Sequence, residues 1–392
     1  MDRCDTFSIQ LEGQGTYYGG QVLCGRVFVE NCECISDIKT VEIKLSGFAN
    51  IHWVEKSGLR AALIDKNETF TNDEEYISKE CILHQGLLSA GKHSFPFSFV
   101  LPSSLPYSFE GKFGHIRYFV EAKLDRSGFF NTSETQRKLI SINSICDLNE
   151  IKEVGMPLSV SSGKTIGSLF VKSKPVSIAL TIPRRGFITG EELPMTVEVK
   201  NLSNKRLSAT KACIYQDVTF RATNGSRSGT KIVSTIIQEA QGGPIKAKSY
   251  KSWEGNPFSI PVIPTTGIGI CKIITVNYRL EFIVNTSGIG SYLKVSLPIV
   301  VGNIPLRRYT GENLPIMAPI SSSQVSAKLA DIKDSISSDN ISMATKSSTT
   351  NEYYDFKLPF SAEPIQVPVS PIAPDEYYDL SFPSYEDALT DY

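Results

Sequence analysis

Histidine and tryptophan are scarce in this 392-residue chain, at four and two copies. The histidines, His52, His84, His93 and His115, occupy none of the spacings that a metal quartet or a nucleophile–base pair needs. Cysteine occurs eight times but never as C-x-x-C. Cys32 and Cys34 lie closest together, and two residues on one face of a strand supply two ligands, short of a site. Reduced, buried thiols are expected, with no metal and no cofactor. No segment approaches the roughly 18 apolar residues of a membrane span, and no long segment carries a helical stripe. With the polar opening Met1-Asp2-Arg3-Cys4-Asp5-Thr6, the expectation is a cytoplasmic chain. Six Asn-x-Ser/Thr sequons, among them Asn67, Asn131 and Asn285, would suit a secreted pair of adhesion sandwiches. Without a leader or an inter-sheet cysteine pair they read as chance matches.

What the chain has in quantity is strict alternation: Val27-Phe28-Val29, Val41-Glu42-Ile43-Lys44-Leu45, Phe95-Pro96-Phe97-Ser98-Phe99 and Tyr118-Phe119-Val120-Glu121-Ala122-Lys123-Leu124 in the first half. Val176 to Ile182, Lys211 to Val218, Ile273 to Tyr278 and Leu293 to Ile299 continue it in the second. Period two predicts half-buried antiparallel strands, and short strands with frequent Gly and Pro turns predict sandwiches. The halves also share their wording. Gly20 precedes Asn31 and Gly190 precedes Asn201 by the same 11 positions (31−20, 201−190); Pro96-Phe97-Ser98, Pro102 and Tyr118-Phe119-Val120-Glu121 are echoed by Pro257-Phe258-Ser259, Pro264 and Tyr278-Arg279-Leu280-Glu281. The fold class is therefore all-β: two immunoglobulin-like antiparallel sandwiches, over 1–150 and 173–306, joined by a polar hinge at 151–172. Residues 307–392 are expected to be a disordered tail, because Ser-rich, Pro-punctuated sequence buries too little apolar surface to offset ordering entropy.

Charge divides along the same boundary. From Tyr309 to Tyr392 there are 4 Lys/Arg against 13 Asp/Glu, leaving 36 against 28 for the rest of a chain with 40 and 41 in all. A basic body and an acidic tail attract each other, and such a body also suits anionic lipid or acidic partner segments. Arg184, Arg185, Lys205 and Arg206 lie close together in sequence near the start of the second half.

The run Gly86-Leu87-Leu88-Ser89-Ala90-Gly91-Lys92-His93 has the glycine–lysine spacing of a phosphate loop. It has His93 where Ser or Thr would hold magnesium, and it leads into an alternating, proline-containing strand instead of a helix, so nucleotide binding is not expected. In the tail, Tyr353 to Phe356 and Tyr377 to Leu380 each spell Tyr-x-x-bulky-apolar. An extended peptide uses that form to fill two pockets of a sorting adaptor. Flanking acids also make these tyrosines candidate phosphorylation sites.

The run from Phe95 to Pro102, then Leu105-Pro106-Tyr107-Ser108-Phe109-Glu110-Gly111 and Gly114-His115-Ile116-Arg117-Tyr118, resembles the signature of an arrestin N-terminal domain. Arg185-Gly186-Phe187-Ile188-Thr189-Gly190-Glu191 with Val199-Lys200-Asn201-Leu202-Ser203 is similar to the opening of an arrestin C-terminal domain. The likeness spans about residues 7–305 and points to the arrestin-domain-containing (alpha-arrestin) branch. It implies a non-enzymatic adaptor that binds membrane receptors or transporters and links them to endocytic adaptors or, through Pro-Pro-x-Tyr motifs, to WW-domain ubiquitin ligases. The corresponding segment here is Phe382-Pro383-Ser384-Tyr385, in which phenylalanine replaces the first proline and removes part of the preformed polyproline surface. An arrestin-fold trafficking subunit without ligase binding is thus the alternative. The family's phosphate-sensing switch is not expected, since Val284 to Ser291 contains no carboxylate and Ser8-Ile9-Gln10-Leu11 contains no lysine.

Overall fold

A computed structural model describes residues 6–31, 38–56, 67–126, 133–165, 174–225, 227–267, 269–286 and 292–307. The first half contributes β1 (Thr6–Leu11), β2 (Thr16–Tyr18), β3 (Val22–Asn31), β4 (Ile38–Lys56), β5 (Asn67–His84), β6 (Gly91–Val100), β7 (Phe109–Gly111), β8 (Gly114–Arg126) and β9 (Ser133–Asn143). The second contributes β10 (Leu158–Thr165), β11 (Pro175–Ile182), β12 (Gly186–Ile188), β13 (Glu192–Asn201), β14 (Leu207–Asn224), β15 (Arg227–Gly242), β16 (Ser249–Ser259), β17 (Ile274–Thr286) and β18 (Tyr292–Gly302). A single 3-10 turn, Leu148–Glu150, is the only helical element among the described residues.

In each half a small sheet covers a large one. The small sheets run β1-β3-β6 and β10-β11-β13-β16, while the large ones join edge to edge as β12-β18-β17-β14-β5-β4-β8-β9-β2, with β15 on β14 and β7 on β8. Alternation places the core as the sequence pattern demands: Ile116, Tyr118, Val120, Ala122 and Leu124 of β8, and Val276, Tyr278, Leu280, Phe282 and Val284 of β17, are all buried. Each large side chain so buried contributes about 1.5–3 kcal/mol. Within the stretch expected as hinge, β10 pairs along its whole length with β11, and Leu158 and Val160 pack on the core from a strand otherwise rich in serine.

The duplication persists at the level of single hydrogen bonds. In the first half the amide of Tyr18 donates to Gln21 Oε1 at 2.9 Å and that of Leu101 to the Gln21 carbonyl at 2.9 Å. In the second, Ile188 donates to Glu191 Oε2 at 2.9 Å and Ile260 to the Glu191 carbonyl at 2.9 Å. The turn between needs a left-handed residue, and Gly20 (φ 85°) and Gly190 (φ 84°) supply it. Buried Asn31 donates to the Ser89 carbonyl, and buried Asn201 to those of Lys205 and Lys246. Tyr118 donates to the Pro106 carbonyl at 2.7 Å, and Tyr278 to that of Pro264 at 2.8 Å. Finally, Ser108 and Ile142 exchange two bonds, from Ser108 N to Ile142 O and from Ile142 N to Ser108 Oγ, just as Thr266 and Val301 do.

Candidate functional site at the joint between the sandwiches

Two sets of contacts hold the halves together. On one side the tips of two long hairpins cross. Thr71 of β5 pairs with Thr223 of β14, and Asn72 Nδ2 donates to the Arg221 carbonyl at 3.2 Å. Phe113 meets Phe220 edge to face at 5.7 Å. Lys231 lies over the rings of Trp53 and Phe113 and pairs with Glu55 at 3.1 Å, while Arg227 pairs with Glu68. The approach is close enough that a Cβ on Gly229 would come within 2.9 Å of the Phe70 ring. Nearby, Glu74 Oε2 accepts from the Tyr76 hydroxyl (2.8 Å) and the Lys272 amide (3.1 Å).

On the other side the two copies of the Pro106/Pro264 segment face each other across a cleft of about 290 Å³. Tyr18, Tyr107, Ser108, Asn143 and Ser144 line it from the first half, and Thr189, Ile263, Pro264, Thr265, Gly302 and Asn303 from the second. Tyr107 donates to the Thr265 carbonyl at 3.1 Å, Ser144 Oγ and Thr265 Oγ1 share a bond at 2.9 Å, and Asn303 bridges the Ser144 carbonyl and the Cys146 amide. Burial raises the hydroxyl pKa values of Tyr107 and Tyr278. Both hydroxyls act as donors to backbone carbonyls, and no charged residue lines the cleft. Such a lining suits shape recognition and fixed docking of the halves.

The chain leaves this joint under restraint. Asn149 donates through Nδ2 to the Pro305 carbonyl at 2.9 Å and accepts from the Arg307 amide at 2.8 Å, while Asp147 Oδ1 accepts from Asn149. The segment after Arg307 therefore starts from a defined place, beside the connection between the sandwiches. Phe382, Pro383 and Tyr385, like Tyr353, Phe356, Tyr377 and Leu380, lie outside the described residues, as do Cys4, Cys32 and Cys34.

A charge network on the outer face of the second sandwich escaped sequence reasoning. Arg279 of β17 bonds Asp217 of β14 and Glu281 (3.0 Å) and lies 4.3 Å over the Tyr215 ring; Lys294 of β18 reaches Glu281 at 3.4 Å. Glu281 is 2% exposed, and burial raises its carboxyl pKa against the pull of Arg279 and Lys294. The residues alternate with core positions on their strands, which in a sequence looks the same as a solvated face. The network spans β14, β17 and β18.

The remaining sequence candidates have ordinary places. Lys92 pairs with Glu30 at 3.1 Å and His93 Nε2 contacts the Ser89 carbonyl at 2.8 Å, in a turn that enters β6 and no helix. His84 contacts the Leu87 carbonyl, and His115 packs on Phe48, where burial and then Arg117 lower its pKa. Arg184 pairs with Glu191 at the joint end of β13, whereas Lys205 and Arg206 follow its far end, so the four cations do not form one surface. The thiols of Cys24, Cys81, Cys146, Cys213 and Cys271 are free. Burial pushes that of Cys213 up to about 12; contrary to the expectation of burial, Cys24, Cys146 and Cys271 are only half-buried and Cys81 is exposed, because β5 is open from Ser78 to Ile82. Among the described residues there is no cluster of metal-ligating side chains, and no helix is long and apolar enough to cross a membrane.

Paired, internally repeated sandwiches of this order define the arrestin class of fold. The chain matches the family model described as Arrestin (or S-antigen), N-terminal domain over residues 6–149, and that described as Arrestin (or S-antigen), C-terminal domain over 172–306. It is 30% identical over 318 residues to arrestin domain-containing protein 4 of Mus musculus, covering 79% of this chain and 74% of that protein. It is also 30% identical over 316 residues to arrestin domain-containing protein 17 of Caenorhabditis elegans (78% and 72%). With thioredoxin-interacting protein of Sus scrofa it shares 27% over 304 residues (76% and 74%). The chain belongs to the arrestin-domain-containing family.

Proposed function

We propose that this protein is a non-enzymatic cytoplasmic adaptor, recruited to the plasma membrane or endosomes, that binds membrane receptors or transporters through its sandwiches and gathers sorting machinery through its tail. The observation that carries this reading is the joint. Its cleft is lined by uncharged side chains, and several of its hydroxyl and amide groups hold the two halves in one geometry. A rigid two-lobed body with a long acidic extension rooted at its centre suits simultaneous engagement of cargo and machinery. In this reading Tyr353-x-x-Phe356 and Tyr377-x-x-Leu380 serve endocytic adaptors, and Phe382-Pro383-Ser384-Tyr385 serves a WW-domain ubiquitin ligase. Basic surface on the body supports approach to anionic membrane.

Proximity labelling in cells, comparing the full chain with one ending after Arg307, tests the reading. Membrane proteins should be labelled by both chains and sorting or ubiquitylation proteins by the full chain alone; identical partner sets would remove the tail's role. Tyr385→Ala should weaken capture by a WW-domain ligase. Unchanged recovery would leave the arrestin-fold trafficking role without ligase binding.

A further inference from the structure

The end of the second sandwich farthest from the joint is built from two loops laced together. Residues 202–206 follow β13 and residues 243–248 follow β15, and buried Asn201 joins them by donating to the carbonyls of both Lys205 and Lys246. Ser203, fully buried, accepts from the Lys205 amide through Oγ and from the Lys248 amide through its carbonyl, and Leu207 and Ile245 exchange backbone bonds. This lacing sets Lys205, Arg206, Lys246 and Lys248 side by side and exposed, with Lys200 next to them over the Tyr250 ring. Among the described residues none of these five makes an ion pair, and neither 199–211 nor 241–252 contains a carboxylate. Glu198, on the adjacent sheet face, is engaged by the Tyr250 hydroxyl. Tyr250 (53% exposed) and Leu202 (39%) leave apolar surface among the cations.

We propose that this basic end is the docking site for the chain's own segment Asp375–Asp379. That segment, Asp375-Glu376-Tyr377-Tyr378-Asp379, carries three carboxylates and two aromatic rings in five residues. From Leu358 to Tyr392 there are seven carboxylates (Glu363, Asp375, Glu376, Asp379, Glu386, Asp387, Asp391) and no Lys or Arg, so nothing in the last part of the chain competes for them. Reach is sufficient. The distance to cover is about the length of β18, 11 residues at about 3.3 Å each, and 67 residues lie between Arg307 and Asp375 (308–374). Covalent attachment also gives the segment an effective concentration on the order of millimolar, which an anionic membrane or a free acidic peptide must exceed. The docking stands independently of the adaptor reading. Its consequence for that reading is that Tyr377 and Leu380 are covered while the tail is docked.

Zero-length carbodiimide cross-linking of the full chain, with peptide mapping of the monomer, tests the proposal. Lys205, Lys246 and Lys248 should link to Asp375, Glu376 or Asp379. Lys200→Glu combined with Arg206→Glu keeps all three reporter amines, and should reduce these links by about tenfold with an unchanged melting profile, as should 1 M salt on the order of a 3 Å screening length. Absent links, or links spread evenly over Lys112, Lys138 and Lys152, would overturn the proposal. Flotation with vesicles of phosphatidylcholine and phosphatidylserine separates the membrane source. Vesicle binding that rises when Asp375, Glu376 and Asp379 are changed to Asn, Gln and Asn supports tail docking. Vesicle binding by the unaltered chain without any tail links would assign the basic end to anionic lipid instead.

Discussion

Tyr118 and Tyr278 show how much one hydroxyl holds at this joint. Each ring fills a core and each hydroxyl closes a backbone turn at Pro106 or Pro264, and Tyr278 also accepts from Gln216 Nε2 at 2.9 Å. Tyr278→Phe keeps the ring but leaves the part-buried Pro264 carbonyl and Gln216 amide without their partner, so unfolding stability should fall by about 1 kcal/mol, read from the urea midpoint. Burial raises the pKa of Tyr107, Tyr118 and Tyr278 above the ordinary value near 10. Their contribution is therefore complete below about pH 10 and is lost as pH climbs past it, because the unfolded chain ionises first. Tyrosinate absorbance from these three should appear together with unfolding in an alkaline titration, and not before it.

Paired elements should respond alike where they are built alike. Gly20 and Gly190 occupy matching turns at matching φ, so Gly20→Ala and Gly190→Ala should each cost about 1 kcal/mol. A clear difference in their thermal shifts would show that the halves are not energetically equivalent. Gly229→Val at the crossed hairpins would force a side chain against Phe70 and Trp53, costing about 1–3 kcal/mol and splitting one calorimetric transition into two as the halves separate. The strands themselves were legible in the sequence because alternation, Gly-Gly-Gln against Gly-Glu, and Asn31 against Asn201 are local signals repeated at a constant offset. The joint was not. Asn72 and Arg221 are 149 residues apart, and Ser144 and Asn303 are 159 apart, and no short pattern encodes such pairs. β10 was hidden for a different reason: Ser159, Ser161 and Ser162 read as connection, while only Leu158 and Val160 mark the buried side. Asp217, Arg279 and Glu281 were concealed by their resemblance to a solvated face.

At the scale of the whole molecule, Arg307 is tied to the joint through Asn149. Ending the chain after Arg307 should leave the melting temperature within about 2 °C of the full protein. Ending it after Val301 removes Asn303, with its bonds to Ser144 and Cys146, and the Pro305 and Arg307 partners of Asn149, and should lower and broaden the transition in differential scanning calorimetry. Asn149 also has a mechanical consequence. It holds the root of the extension against the strip that connects the two lobes, so a load applied to an undocked far terminus arrives where the lobes are bonded to each other rather than on the wall of either one. Tension from a captured partner would then be shared by the bonds of Ser144, Thr265 and Asn303 that fix the lobes together.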